Sequence, residues 1–305
     1  MNVLSISGDV HAVTEGSEAH TRMHLLRSMV DAFDVFVWPQ KHSVRDLVRA
    51  VRKKTYHVVT TQDPFWRGLV AWLLARTYGA RLNVQVHADL SGSSRLRRVV
   101  SGFVLRRADS IRVVSSTVHA QVERLGASAP VHVLPMYLDL ARFRNVERVA
   151  HTRPTILWIG RFELEKDPMR AIQVLKEVRA KGDDVVLVML GAGRLESALR
   201  KAAKNLPVEF PGWHPPEAYL AVADVVLSTS EHESWGASII EALAAGVPVV
   251  APDVGVAKEA GAVVVSRKDL ARAVHDVLRE KATGTLRLSF LSREDWARRW
   301  KESLG

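Results

Sequence analysis

Short apolar segments alternate along the chain with longer stretches in which apolar positions recur about every three to four residues. The short segments are flanked by turn residues and rich in Val, Ile and Leu, which is typical of buried strands. The longer stretches are typical of amphipathic helices. In the first half, the pattern predicts strands at Val3–Ile6, Val35–Trp38, His57–Thr60, Leu82–His87, Ser110–Val114 and Val131–Leu134, with helices near 18–31, 43–54, 65–78, 93–107 and 116–125.

The second half repeats this alternation, which predicts a parallel α/β architecture throughout. Its predicted strands are Thr155–Ile159, Val185–Leu190, Val208–Phe210, Val225–Ser228, Val247–Ala251 and Ala262–Val265, with helices near 167–181, 194–204, 215–222, 237–245 and 268–281. The polar segment Arg144–Arg153 separates the halves, so we expect two α/β domains that bind ligands in a cleft at the carboxyl ends of their strands. The last stretch carries Trp296, Trp300 and Leu304 at helical spacing, which we interpret as the packing face of a final helix.

The composition is that of a soluble globular protein, with 47% hydrophobic and 25% charged residues in a chain of 305. No apolar run approaches the ~18 residues that a membrane-spanning helix needs. No basic segment precedes the apolar run Val3–Ile6, so we interpret the start as a strand rather than a signal peptide. The absence of cysteine excludes disulfides and thiolate metal sites and favours a cytoplasmic location.

Positive charge is concentrated in the first half of the chain. The first 150 residues contain 21 Lys and Arg against 12 Asp and Glu, whereas the rest contains 22 against 21. Arg45, Arg49 and Arg52 recur at helical spacing, and other arginines flank the apolar run Val99–Leu105. These clusters form either a solvated face or a surface for anionic phospholipid or a lipid-diphosphate acceptor, which would place the protein on the inner face of the membrane. We expect no nucleic-acid partner, because no nucleic-acid-binding motif accompanies the charge.

Glu233 and Glu241 lie eight positions apart in the most readable segment of the sequence. Gly236 marks a tight loop before an apolar helical run, and Gly246 followed by Pro248 marks the end of that helix. One carboxylate is therefore predicted on the loop that enters a helix and the other about one turn inside it. Acids beside the N–H groups of a helix N-terminus suit a ligand with both hydroxyls and phosphates. The alternative is a pair of solvated helix acids, although the apolar surroundings of Glu241 make it costly to leave without a partner.

Three loops of the second half carry further candidate residues. Arg161 and Lys166 follow the first strand of this half and supply two cations for a diphosphate, unless they are ordinary surface bases. Gly191 and Gly193 follow the next strand, but no third glycine completes the fingerprint of a dinucleotide-dependent dehydrogenase. Trp213, after Pro211 and Gly212, is either a stacking surface or a core or turn aromatic.

The segment that contains Glu233 and Glu241 resembles the Glu-x7-Glu signature of the retaining glycosyltransferases of family 4, the glycosyl transferases group 1. The resemblance covers nearly the whole chain and implies the GT-B fold, in which two Rossmann-like domains with parallel sheets face each other. Residues 1–146 would then form the N-terminal acceptor-binding domain and residues 152–285 the C-terminal nucleotide-sugar-binding domain. Residues 286–305 would form a C-terminal helix that crosses back to the N-domain.

The resemblance also implies roles for single residues. Arg161 and Lys166 would hold the donor diphosphate and stabilise the leaving group. Glu233 would hydrogen-bond the transferred sugar as a positioning residue, and Glu241 would bind the ribose hydroxyls. His87, at the end of a predicted strand, matches a family histidine that contacts the transferred sugar; taken alone, it could equally be a structural histidine.

Further residues are assigned by resemblance to the nucleotide and phosphates of the donor: Gly16, Gly191, Gly193, Trp213, Trp235, Gly236 and Ala237. The sequence departs from the family pattern at Ser17, where a second glycine is usual, and at Met136 and Tyr137, where Asn and Gly are usual. The close approach of backbone to phosphate therefore rests on Gly16, and an acceptor contact at 136 and 137 is weakly supported.

The expected function is metal-independent, retaining transfer of a sugar from a UDP- or GDP-sugar to a saccharide or lipid-linked acceptor, with no cofactor besides the donor. No Asp-x-Asp motif occurs, and Glu231, His232 and Glu233 are too close in sequence to converge easily on one ion. The alternatives are a non-catalytic sugar-nucleotide-binding protein of the same fold and a sugar-nucleotide epimerase. A phosphorylase is less favoured, because no lysine that would tether its cofactor can be recognised.

Overall fold

The computed structural model describes residues 1–15, 18–38, 41–90 and 92–305. They form two compact units, which are considered separately below. Unit 1 comprises Met1–Tyr137 and Phe290–Gly305, and unit 2 comprises Leu138–Ser289. Among these residues, no helix combines the length and apolar character needed to cross a bilayer.

Unit 1 contains a six-stranded parallel sheet whose order is β2-β1-β3-β4-β5-β6. Its strands are β1 Asn2–Ser7, β2 Ala32–Val37, β3 Val58–Thr61, β4 Arg81–Val86, β5 Ser110–Val113 and β6 Val131–Val133. The helices that follow the strands are α1 Glu18–Arg27, α2 Val44–Lys53, α3 Trp66–Tyr78, α4 Arg95–Leu105 and α5 Ser116–Arg124. Serine side chains begin three of these helices, because Ser43, Ser94 and Ser115 each accept a hydrogen bond from the N–H three residues later.

Unit 2 contains a second six-stranded parallel sheet, with the order β12-β11-β10-β7-β8-β9. Its strands are β7 Thr155–Ile159, β8 Val186–Leu190, β9 Val208–Gly212, β10 Val225–Leu227, β11 Val249–Ala251 and β12 Val263–Val264. Its helices are α6 Ala141–Arg144, α7 Pro168–Arg179, α8 Glu196–Ala202, α9 Glu217–Val222, α10 Ala237–Ala244, α11 Ala257–Ala260 and α12 Leu270–Glu280. Buried residues of α7 and α12 pack with the central strands into one core.

The last helix, α13 Arg293–Glu302, packs on unit 1 although it follows unit 2 in sequence. Trp296 and Trp300 are buried in one cluster with residues of β1, α1 and β2. The indole N–H of Trp296 donates to the Pro135 carbonyl at 2.8 Å, and the ring of Trp300 meets Phe33 edge-on at 5.8 Å. The predicted fold class, two parallel α/β units with a final helix on the first, is confirmed.

The division between the units falls earlier than the residue 146 expected from the sequence. The short helix α6 belongs to unit 2, where Phe143 is buried and Arg142 pairs with Glu217 at 3.2 Å. The hydrophobic pattern did not predict α6 or α11, because four residues are too few to show a helical period.

In each sheet the strand order reverses at one point, because the chain adds strands first on one side of its first strand and then on the other. In unit 1 the crevice lies between β1 and β3, and in unit 2 it lies between β7 and β10. Open α/β sheets bind ligands at the carboxyl ends of the strands beside such a switch point. The topology of unit 2 therefore predicts a ligand-binding site at the loops after β7 and β10.

A histidine at the opposite end of unit 2 should make its stability depend on pH. Hydrogen bonds from His151 to the Asp224 carboxylate, at 2.7 Å, and to the Val149 carbonyl, at 3.1 Å, raise the pKa of His151. A histidine with a raised pKa contributes its full stabilisation when the pH is below its pKa in the unfolded chain, about 6.5. This stabilisation is lost as the pH rises through the higher pKa of the folded protein. We expect His151→Gln to lower the urea midpoint of unit 2 more near pH 6 than near pH 8.5. The exposed His232→Gln is the control, and equal losses at both pH values would contradict the prediction.

Candidate functional site

A partly buried ion pair lies at the switch point of unit 2. Lys166 ends a short 3-10 turn after β7, and its Nζ donates to Oε1 of Glu233, which lies in the loop after β10. The Ser230 hydroxyl donates to the same oxygen at 3.0 Å. The two charged side chains are only 19% and 11% exposed, so each depends on the other for compensation of its charge. Two of the predicted site residues, far apart in sequence, are thus in direct contact.

Thr229 joins the two loops that carry this pair. Its single hydroxyl proton is shared between the carbonyls of Lys166 and Asp167, at 2.9 and 2.8 Å, and its oxygen accepts from the indole N–H of Trp158 at 2.9 Å. Because Thr229 and Trp158 are both buried, these bonds have no competition from water. Thr229 was not among the predicted site residues; its signal in the sequence was a polar residue two positions after an apolar strand.

Arg161, the other predicted diphosphate cation, is a surface residue. Its side chain is 68% exposed, and its guanidinium donates to Glu165 at 2.9 Å within the same loop. An exposed pair of this kind contributes little to stability. Arg161 can therefore change partner at low cost.

The two glycines after β8 allow close packing of backbone. A Cβ on Gly191 would lie 1.9 Å from the Gly160 carbonyl oxygen, and one on Gly193 would lie 2.7 Å from the Phe162 carbonyl oxygen. Gly191 N–H also donates to Gly212 O at 2.9 Å, which fixes the start of the next loop. The loops after β7, β8 and β9 are thus packed together along one edge of the sheet.

Trp213, which follows this fixed glycine, has its side chain in solvent. It is 65% exposed, which excludes a core aromatic and leaves the turn aromatic and the stacking surface as alternatives. An exposed indole at the carboxyl edge of the sheet can offer a flat face to a planar ring.

Helix α10 presents its N-terminus at the same edge. Gly236, in the left-handed conformation with φ 93°, precedes Ala237, and no side chain caps the helix. Trp235 is buried, and its backbone carbonyl accepts a hydrogen bond from the Val256 N–H at 3.1 Å. Glu241 is half-buried within α10. Gly255, which the sequence analysis missed, lets the loop after β11 pack here, because its Cβ would lie 2.5 Å from the Trp235 carbonyl oxygen.

The consecutive residues Glu231, His232 and Glu233 do not converge on a common point. Glu233 contacts Lys166, Glu231 lies 3.8 Å from Arg267, and His232 is exposed. In the part of the chain that the structure describes, no three acidic or histidine side chains form a group that could hold a metal ion.

Unit 1 has a separate cavity of about 150 Å³ at the carboxyl ends of its strands. His87 lines this cavity beside Arg112, whose Nη1 lies 3.4 Å from the His87 Nε2. Arg112 is buried and donates to the Leu134 carbonyl at 3.0 Å and to Gln85 Oε1 at 2.7 Å. Met136 is also part of the lining. Arg112 was not among the predicted site residues, although an arginine between the apolar residues Ile111 and Val113 was a signal in the sequence.

The structure brings together the predicted residues of unit 2 at one sheet edge: Arg161, Lys166, Gly191, Gly193, Trp213, Glu233, Trp235, Gly236, Ala237 and Glu241. His87 lies in unit 1. The predicted phosphate-loop residue Gly16, with its neighbour Ser17, lies outside the described residues.

Two family profiles match the chain and together cover most of it. "Glycosyl transferase 4-like domain" matches residues 9–136, and "Glycosyl transferases group 1" matches residues 153–280. The second match contains the Lys166–Glu233 pair and the first contains His87.

Curated relatives have glycosyltransferase names. A GDP-mannose-dependent alpha-(1-6)-phosphatidylinositol dimannoside mannosyltransferase of Mycobacterium tuberculosis is 33% identical over 47% of this chain and 40% of its own length. An alpha-monoglucosyldiacylglycerol synthase of Streptococcus pneumoniae is 26% identical over 64% of this chain and 51% of its own length. The matched segment thus spans about half the length of these relatives.

Solved structures share the fold over the full length of the chain. Sucrose-phosphate synthase from Thermosynechococcus elongatus has a TM-score of 0.74 at 18% identity, covering 100% of this chain and 96% of its own. Anabaena HepE, in complex with UDP and glucose, has a TM-score of 0.72 at 15% identity, covering 100% and 99%. At these identities the likeness concerns the fold alone, and that fold is GT-B.

The Thr229 hydroxyl offers a test of how the two loops are joined. Thr229→Val keeps the shape but leaves the buried Trp158 N–H without its acceptor, so we expect a loss of about 1–3 kcal/mol in the free energy of unfolding. Thr229→Ser keeps the hydroxyl and should lose less. Urea denaturation of the two variants measures the difference, and equal losses would show that the hydroxyl does not hold the loops.

Proposed function

This chain belongs to the family 4, group 1 glycosyltransferases with the GT-B fold, and on that premise we propose that it transfers a sugar from a nucleoside-diphosphate sugar to a saccharide or lipid-linked acceptor. The observation that carries the proposal is the Lys166–Glu233 pair at the switch point of unit 2. It places a cation for phosphate oxygens beside a carboxylate for sugar hydroxyls. No cofactor besides the donor is proposed.

The donor diphosphate is held by charge and by backbone. Lys166 provides a point charge, and Arg161 exchanges its exposed partner Glu165 for phosphate oxygens. The N–H groups at the start of α10, beside Gly236 and Ala237, add hydrogen-bond donors without an ion. These groups stabilise the negative charge that develops on the diphosphate as it departs.

The reaction is a same-face displacement that retains configuration at the anomeric carbon. The bond between that carbon and the diphosphate oxygen breaks, and the bond to the acceptor oxygen forms on the same side. The acceptor proton passes to the departing phosphate oxygen, so no protein base is needed. Arg161 and Lys166 compensate the charge of the leaving group in place of a metal ion. Glu233 hydrogen-bonds the transferred sugar as a positioning residue, and by resemblance His87 contacts the same sugar.

The nucleoside is recognised farther along the same sheet edge. Glu241 binds the ribose hydroxyls, and Trp213 stacks on the base from the loop that Gly212 fixes to Gly191. UDP and GDP are the proposed nucleotides. The GDP-mannose dependence of the mycobacterial relative and the UDP bound to HepE support this range.

A lipid acceptor is favoured by a face of unit 1 that combines apolar side chains with arginines. Trp66 and Leu73 on α3, and Leu96 and Val99 on the neighbouring α4, are each more than half exposed. Exposed arginines accompany them on α4 and directly after it: Arg95, Arg98, Arg106 and Arg107. Aromatic and aliphatic groups beside cations suit the interface of an anionic bilayer, and the names of two relatives include glycolipids. We therefore include peripheral membrane binding in the proposal.

A non-catalytic sugar-nucleotide-binding protein is the second candidate, because Met136 and Tyr137 depart from the family pattern beside the unit 1 cavity. The two candidates differ in turnover. A transferase hydrolyses its donor slowly when no acceptor is present, whereas a binding protein releases it intact. An epimerase would instead return an isomer of the donor sugar.

The assigned roles predict different kinetic effects for three substitutions. The donor is first chosen from UDP- and GDP-sugars by thermal shift, since a ligand at 100 times its Kd adds about 2.7 kcal/mol to stability. Lys166→Ala and Arg161→Ala should then lower kcat by about 100- to 1,000-fold, because they remove charge that stabilises the leaving group. Glu241→Ala should mainly raise the donor KM.

Arg200→Ala, an exposed arginine paired within α8, is the matched control and should leave both constants unchanged. Equal and small effects of all three site substitutions would contradict the assignment. Absence of binding to every nucleotide and sugar nucleotide tested would contradict the proposed function as a whole.

The membrane part of the proposal is tested by vesicle sedimentation. The protein should bind phosphatidylglycerol vesicles but not pure phosphatidylcholine vesicles, with about a fivefold loss for each of Arg95→Gln and Arg98→Gln. Trp66→Ser should weaken binding to the same vesicles by removing apolar insertion. Arg200→Gln is the control for charge alone. Equal binding to both vesicle types would remove the membrane partner and leave the transfer reaction untouched.

A further inference from the structure

Arg267 contacts both loops of the Lys166–Glu233 pair from a third loop. It begins the 3-10 segment Arg267–Asp269 after β12. Its Nη1 donates to the Thr229 carbonyl at 2.6 Å, and its Nη2 pairs with Oδ2 of Asp167. The guanidinium is thus a fork with one arm on the segment after β7 and the other on the segment after β10.

The Asp167 arm holds an unusual backbone conformation next to Lys166. Asp167 has φ 40° and ψ 60°, the left-handed region that non-glycine residues adopt at a cost. Its two carboxylate oxygens are both used, since Oδ1 accepts from Arg170 N–H at 3.2 Å to cap α7 and Oδ2 receives Arg267. These contacts fix the chain direction at the residue that directly follows Lys166.

The Thr229 arm fixes the other side of the pair. While Arg267 holds the Thr229 carbonyl, the Thr229 hydroxyl holds the carbonyls of Lys166 and Asp167. The next residue, Ser230, donates to Glu233. The guanidinium therefore forms a second bridge, besides the Thr229 hydroxyl, between the segment that carries the cation and the segment that carries the carboxylate.

We propose that Arg267 is a positioning residue that sets Lys166 against Glu233 by bridging Asp167 and Thr229, and that it acts on the transfer reaction only through them. The part that concerns catalysis rests on the function proposed above. A lysine cannot take this role, because a single ammonium lacks the planar fork that reaches two acceptors in fixed directions. The competing assignment makes Arg267 a direct phosphate ligand, as its one-third exposure would allow.

The position of Lys166 can be measured without activity. Lysines are acetylated briefly with a small anhydride and quantified by mass spectrometry, with the exposed Lys176 of α7 as internal reference. In the wild-type protein Lys166 should react more slowly than Lys176, because it is largely buried and paired. Arg267→Lys should raise the ratio of Lys166 to Lys176 labelling several-fold, and Arg272→Lys, an exposed arginine at the start of α12, should not.

Asp167→Asn is a second variant that removes the same contact, so the proposal can still be tested if Arg267→Lys does not fold. Asparagine tolerates the left-handed conformation and can still cap α7, but it loses the charge that holds Arg267. It should reproduce the increase in Lys166 labelling. An unchanged labelling ratio in both Arg267→Lys and Asp167→Asn would overturn the proposal, whether or not the protein proves to be a transferase.

Kinetics then distinguish positioning from direct binding. Arg267→Lys should lower kcat by about 100-fold with little change in donor KM, as expected when a reacting group is misplaced. The double variant with Lys166→Ala should be no slower than Lys166→Ala alone, because both changes remove the same function. A rise in KM alone, or effects that multiply, would identify Arg267 as an independent ligand and overturn the proposal.

Discussion

The pairing of Lys166 with Glu233 is the interaction on which the site of unit 2 depends. Both groups are largely removed from water, so burying either charge without the other would destabilise the fold. The attraction between the two charges and a hydrogen bond from the Ser230 hydroxyl to the carboxylate offset the free energy of desolvation. Buried hydrogen bonds of Thr229 hold the two loops at the distance that this pairing requires. A parallel sheet makes this possible, because β7 and β10 are neighbours and end at the same edge.

The glycines of the site serve this same edge by allowing backbones to approach. At Gly191, Gly193 and Gly255, a Cβ would lie under 3 Å from a backbone atom of a neighbouring loop. A Gly-x-Gly after a strand therefore does not by itself indicate phosphate contact. Here its demonstrated role is to pack the loops after β7 and β8, and any ligand would meet a surface that this packing has already made rigid.

Much of the fold was readable from the sequence because each strand is a continuous apolar run between turn residues. The strand Thr155–Ile159 has the predicted bounds, and the helix ends differ by only a few residues. Short sequence motifs were enough to predict four of the site residues, because the members of each motif lie close together in the sequence: Glu233, Glu241, Arg161 and Lys166. The roles of Thr229, Asp167 and Arg267 could not be predicted, because their contacts join residues up to 100 positions apart and depend on which strands are neighbours.

The two units hold their buried charged side chains in different ways. In unit 2 the buried charges compensate each other across two loops, so a ligand that brings its own charge must compete with an existing pair. In unit 1, Arg112 is held by carbonyls and by the Gln85 amide, and Gln85 continues through Thr60 to Asn83. These acceptors fix the direction of the guanidinium beside His87 in the unit 1 cavity. Lys166 and Arg112 are thus both held in place, the first by a carboxylate from a distant loop and the second by carbonyl and amide oxygens of unit 1.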